Sequence, residues 1–194
     1  MGNKNNITGI ILAGGKSSRM GTNKALMQYD GVTFIQHIIN IMKPLVNQII
    51  IVGRPEEYTD YSYKCVDDIY SNSGPVAGIH AGLEHSTTPY NMVLSCDVPL
   101  ITEPILKELI EHIDENKDVV LIESNGQAHP LIAIYQRQCK DLFDDLLHRG
   151  EKRLLSALDR LNVKTLSLSE TDAMYVTNIN HPLTLKKLNN EVID

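Results

Sequence analysis

At 194 residues and 21.7 kDa, with 42% apolar and 22% charged residues, the chain has the size and balance of one ordinary globular domain, residues 1–194, which excludes a disordered or fibrous class. Its net charge of −6 argues against a general nucleic-acid binder. No run approaches the ~18 apolar residues of a membrane span.

The start MGNKNN lacks the apolar core of a signal peptide and has Asn6 where myristoylation needs Ser or Thr, so a cytoplasmic protein is expected. Ile7 to Leu12 is a short apolar run bounded by turn residues, the pattern of a buried parallel strand. It ends in Ala13-Gly14-Gly15, followed by Lys16, Arg19 and Lys24, and the first acid is Asp30. Glycines let backbone amides approach an anion, and the cations can neutralise it, so this loop is suited to a polyphosphate. The glycine spacing fits neither GxxxxGK[ST] nor GxGxxG.

Thr33 is placed to cap a helix to about Leu45, and Ile49 to Val52 forms the next β-branched run. Lys64 to Val66 reads as a weak strand, Val76 to Ser86 as a helix, and Asn91 to Ser95 as a buried strand running into Cys96-Asp97. Thr102 is placed to cap a helix with Glu103 and Pro104 in its first turn. Val119 to Glu123 and Leu131 to Tyr135 read as antiparallel strands around Asn125-Gly126, with a connection too long to specify a tight hairpin. Helices over about Arg137 to His148 and Lys152 to Leu161, a strand at Val163 to Leu168 and a short helix from Pro182 complete the chain.

Alternating strands and helices predict a three-layer α/β/α fold with a mostly parallel sheet. Ligands of such sheets bind beyond the carboxyl ends of the strands, which selects the loop after Leu12, the strand end at Asp97 and the region after Val66. A carboxylate at Asp97 is placed to hold Mg²⁺ against phosphate oxygens; a helix-capping role is the plainer alternative. Cys65, Cys96 and Cys139 are too few and too scattered for a disulfide framework or a zinc site and read as buried free thiols.

The order of these segments resembles the MobA family of molybdenum cofactor guanylyltransferases. LAGGKSSRMGTNKAL is similar to the family's LAGGxSxRMGxxKxL, DIYSNSGPVAG to an acid followed by GPLAG, and CDVP to CDxP. His129-Pro130, Gly150 to Arg153 and Asn178-Ile179-Asn180 resemble later HPxxA, GxxR and NxN segments. The resemblance implies a Rossmann-like nucleotidyltransferase fold and transfer of GMP from Mg²⁺-bound GTP to the terminal phosphate of molybdopterin. It implies backbone nucleotide contacts along Leu12, Ala13, Gly14 and Gly15, with Arg19 and Lys24 on the triphosphate and Asp97 on Mg²⁺. Asp68 would hold the nucleotide, preferred over the adjacent Asp67 that the spacing to Gly74 also allows, and Gly78 would lie in the segment reading guanine. Arg153, Asn178 and Asn180 would face the pterin or its phosphate, and a molybdopterin-delivering or acceptor protein is a possible partner. Val52-Gly53-Arg54 stands where relatives often have an Asn that contacts the nucleotide. A CTP-dependent or sugar-phosphate nucleotidyltransferase, and a non-catalytic nucleotide-binding module, are the alternatives.

Overall fold

The computed structural model describes residues 4–14, 23–67, 70 and 73–179. Strand β1 is Ile7–Leu12, every residue of it buried. A 3-10 turn, Lys24–Leu26, leads into a small hairpin of β2 (Gln28–Tyr29) and β3 (Val32–Thr33). Asp30 and Gly31 both have positive φ (50° and 76°), as a two-residue primed turn requires. Helix α1, Phe34–Met42, follows; Thr33 caps it by accepting the Gln36 amide, and it ends before the expected Leu45 because Pro44 cannot continue it.

Next come β4 (Gln48–Val52), β5 (Lys64–Val66), α2 (Gly74–His85), β6 (Tyr90–Ser95) and α3 (Glu103–Glu111). Thr102 occupies the N-cap of α3 without a side-chain cap bond. Strands β7 (Val119–Ser124) and β8 (Gln127–Gln136) make a tighter hairpin than expected: Asn125 and Gly126, φ 51° and 73°, form its whole connection. Strand β8 begins before the expected Leu131 and tolerates Pro130 because the register jumps there, from Leu121 opposite Ala133 to Ile122 opposite His129. Helices α4 (Cys139–His148) and α5 (Leu154–Leu158) and strand β9 (Val163–Ser167) follow, both helices shorter than predicted. The expected helix from Pro182 lies outside the described residues.

Seven strands form one sheet in the order β5-β4-β1-β6-β8-β7-β9. Only β8 runs against its neighbours, so the sheet is mostly parallel, as expected. Alternation along the strands sends Ile7, Ile11, Met92 and Leu94 to one face, under Ile35, Ile38 and Ile39 of α1 and Leu106 and Leu109 of α3. Ile10, Leu12, Ile50 and Val93 go to the other face, under Ile79 and Leu83 of α2, Phe143 of α4 and Leu154 of α5. These are the three layers.

Helix α2 lies directly on β1. A Cβ at Gly82 would come within 2.5 Å of Ile10, and one at Gly78 within 3.2 Å of Leu12. Moving toward the helix N-terminus therefore means moving toward the carboxyl end of the strand, which brings the start of α2 beside the loop after Leu12. Among the described residues no helix is long and apolar enough to cross a membrane.

Candidate active site

The parallel ladder continues past the ends of β1, β4 and β6. The amides of Ala13 and Gly14 both donate to the Val52 carbonyl at 2.9 Å, and the Cys96 amide donates to Leu12 O at 3.1 Å. The first two loop amides are thereby used within the fold. The Ala13 carbonyl is engaged as well, accepting the Tyr58 hydroxyl at 2.7 Å. Leu12 and Ala13 are buried while Gly14 is exposed, so the chain reaches solvent at Gly14.

Lys24 stands on the 3-10 turn, whose next residue, Ala25, is wholly buried in the α1-side core. Asp97 stands just past β6, the strand beside β1. Their side chains meet at the carboxyl edge of the sheet, Lys24 Nζ to Asp97 Oδ2 at 3.4 Å, with exposures of 16% and 20%. That separation exceeds the roughly 2.7–2.9 Å of a tight charge-assisted bond, so the pair is close enough to attract without closing the gap. The other carboxylate oxygen, Asp97 Oδ1, is buried and has no hydrogen-bond partner. A buried lone pair left unpaired is costly, and beside a cation at the sheet edge it is suited to a ligand.

Asn178 approaches from the end of the described chain. The Ile179 amide donates to Asp97 O at 2.7 Å, and the Ile179 side chain is buried against Phe34, with Met27, Tyr29 and Leu100 around it. This apolar clamp fixes exposed Asn178 beside Asp97. Arg153 is also exposed but belongs to the opposite layer, at the N-terminus of α5. The neighbouring Lys152 carbonyl lies 3.5 Å from where a Cβ of Gly74 would stand, which places this segment against the start of α2.

Of the residues singled out in the sequence, the structure thus gathers Leu12, Ala13, Gly14, Lys24, Asp97 and Asn178 at one sheet edge, with Arg153 beside α2. Gly78 is buried on the face of α2 that meets β1, where it permits the close approach to Leu12. Gly15, Arg19, Asp68 and Asn180 lie outside the described residues, and Asp67 is exposed on the loop leaving β5. Gly53, at the strand end without the usual Asn, is hemmed in: a Cβ there would stand 2.7 Å from the Tyr58 ring.

Asn23, Glu57 and Tyr58 escaped the sequence reading. Asn23 donates to Tyr58 Oη at 2.9 Å and to Glu57 Oε2 at 2.5 Å, joining residues 35 and 34 positions apart. No local pattern announces such a contact. The thiols of Cys96 and Cys139 are pushed up to about 12 by burial, and that of half-buried Cys65 to about 11, again chiefly by desolvation, so all three are poor nucleophiles. The reading of all three as buried holds for Cys96 and Cys139 and is corrected for Cys65.

The model of the MobA-like NTP transferase domain matches residues 9–162, most of the chain. The chain belongs to this family. At the sequence level this MobA-like protein is 34% identical over 183 residues to a Flavobacterium johnsoniae protein named "Probable molybdenum cofactor guanylyltransferase", covering 94% of this chain and 96% of the relative. It is 34% identical over 163 residues to the Desulfosudis oleivorans molybdenum cofactor guanylyltransferase, covering 83% and 81%. The fold matches a crystal structure of molybdopterin-guanine dinucleotide biosynthesis protein A from Archaeoglobus fulgidus with a TM-score of 0.79 and 24% identity, over 95% of this chain and 98% of the other. The MobA-like chain is therefore an enzyme of the nucleotidyltransferase class. Asn178 falls beyond the matched domain, and its place in the site rests on the Ile179–Asp97 bond.

Proposed function

We propose that this nucleotidyltransferase moves GMP from GTP, taken as its magnesium complex, to the terminal phosphate of molybdopterin, forming molybdopterin guanine dinucleotide and releasing pyrophosphate. The names of its relatives support the substrates. The observation that carries the chemistry is the Lys24–Asp97 pair at the sheet edge, with one carboxylate oxygen buried and unsatisfied.

The residues suit magnesium. No group of three or more metal-ligating side chains occurs among the described residues, and a single hard carboxylate is what Mg²⁺ uses when substrate phosphates provide further ligands. Asp97 would hold the ion, which when bound supplies charge neutralisation on the phosphate oxygens.

Lys24 and Arg19 would face the triphosphate and stabilise charge that grows as pyrophosphate departs. The turn from Leu12 to Gly15, Asp68 and the start of α2 through Gly78 would hold the nucleoside, while Asn178, Asn180 and Arg153 orient the acceptor. An acceptor phosphate oxygen forms the new bond to the α-phosphorus, and the bond to the β-phosphate oxygen breaks with its electron pair leaving on pyrophosphate. The attacking oxygen is already anionic, so the protein's task is alignment and charge stabilisation, without a general base.

Pyrophosphate release with molybdopterin and each of GTP, CTP, ATP and UTP tests the assignment. GTP is expected to be preferred by about 100-fold or more in kcat/KM, the range open to a site that hydrogen-bonds one base edge. A preference for CTP would overturn the guanine reading.

A further inference from the structure

Tyr58 is 2% exposed, yet its hydroxyl lies within reach of the active loop. It donates to Ala13 O at 2.7 Å and accepts from Asn23 Nδ2 at 2.9 Å. The remaining amide hydrogen of Asn23 goes to Glu57 Oε2 at 2.5 Å, and Asn23 Oδ1 accepts the Ala25 amide at 3.0 Å. Both polar atoms of this side chain are committed, and the last of these bonds caps the turn that carries Lys24. Glu57 is held in turn by Arg54 Nη2 at 2.5 Å. One phenol therefore ties the end of β1 to the turn bearing the lysine, and Gly53 stays without a side chain to leave that ring its space.

We propose that Tyr58 and Asn23 are positioning residues that act through Lys24: the phenol anchors Asn23 to Ala13, and Asn23 sets the turn that aims the ammonium at the site beside Asp97. A lysine side chain is long and loses much rotamer freedom when ordered, so a fixed starting point for it matters to a reaction that depends on alignment. This inference rests on the reading of Lys24 as a triphosphate contact. Asn is specifically required beside Glu57, because an aspartate would set one carboxylate against another.

The test compares wild type, Lys24→Ala, Tyr58→Phe and the Lys24→Ala/Tyr58→Phe double variant, assaying pyrophosphate release from Mg-GTP with molybdopterin and using circular dichroism to confirm folding. Tyr58→Phe is expected to lower kcat/KM about tenfold or more, since it breaks both the bond to Ala13 O and the one accepted from Asn23, and the double variant to be no slower than Lys24→Ala alone. Full multiplication of the two losses would mean that Tyr58 acts independently of Lys24 and would overturn the proposal. A wild-type rate for Tyr58→Phe beside a slow Lys24→Ala would overturn the positioning role while leaving the proposed function intact; a wild-type rate for Lys24→Ala would instead remove the reading beneath it. Should Tyr58→Phe fold poorly, Asn23→Asp provides a second route: its carboxylate cannot donate to Tyr58 Oη or to Glu57, so it is expected to be slow, and Lys24→Ala/Asn23→Asp to be no slower than Lys24→Ala alone. An Asn23→Asp enzyme as fast as wild type overturns the proposal.

Discussion

Among the buried polar atoms without a partner in the described residues, Asp97 Oδ1 and His80 Nδ1 have opposite meanings. Asp97 Oδ1 lies at the carboxyl edge of the sheet, in a side chain that is 20% exposed and whose other oxygen stands 3.4 Å from a lysine. His80 Nδ1 lies in the seam between α2 and α4, where Tyr70 donates to Asp144 at 2.9 Å and the His80 Nε2 stands 3.5 Å from the same carboxylate. Burial depresses the His80 pKa, partly opposed by Asp144, so the ring is kept neutral and serves packing. An unsatisfied atom points to a ligand when an opposite charge and a route to solvent accompany it, as they do for Asp97. In a helix seam the same deficiency is a tolerated cost of close packing.

The sharpest way to break this contrast is to remove each group. Asp97→Asn should lower turnover by about 10³-fold with little change in the thermal midpoint, because it removes charge from an edge position that the core does not need. Lys24→Ala should follow, with a loss of about 10²-fold and weaker GTP binding, measured by pyrophosphate release and calorimetry. His80→Gln should do the reverse, costing about 1 kcal/mol in chemical denaturation while turnover stays within about twofold of wild type.

The smallest effect is in pH. Because the folded pKa of His80 is lowered, the unfolded chain takes up its proton first as pH falls. The stability contributed by the neutral ring is present above the unfolded pKa of about 6.5 and is lost as pH drops below it. Urea midpoints at pH 7.5 and 5.5 should therefore differ less in His80→Gln than in wild type. Some slope should persist, since burial also lowers the pKa of His129. An unchanged slope would remove the neutral-ring account of the seam.

The two regions also differ in how far the sequence announces them. Periodicity locates β1, β4 and β6 and so the edge where Asp97 stands, because buried parallel strands are continuous apolar runs ended by glycine or acid. The hairpin at Asp30-Gly31 is missed because its strands are two residues long, too short for any period, although the Asp-Gly pair itself was the available signal. Pro130 hides the start of β8 because only the register jump makes a proline acceptable there. The bonds from Asn23 to Tyr58 and Glu57, and the docking of Ile179 on Asp97, join segments far apart in the chain and emerge only from the fold.

We propose that Lys24 and Asp97 serve one bound nucleoside triphosphate, the ammonium on its phosphates and the carboxylate on its metal. Calorimetric titration of GTP into wild type and Asp97→Asn, each with and without Mg²⁺, tests it without requiring turnover. Magnesium should tighten GTP binding to wild type about tenfold or more and have little effect on the variant. An equal magnesium effect on both proteins would contradict the account.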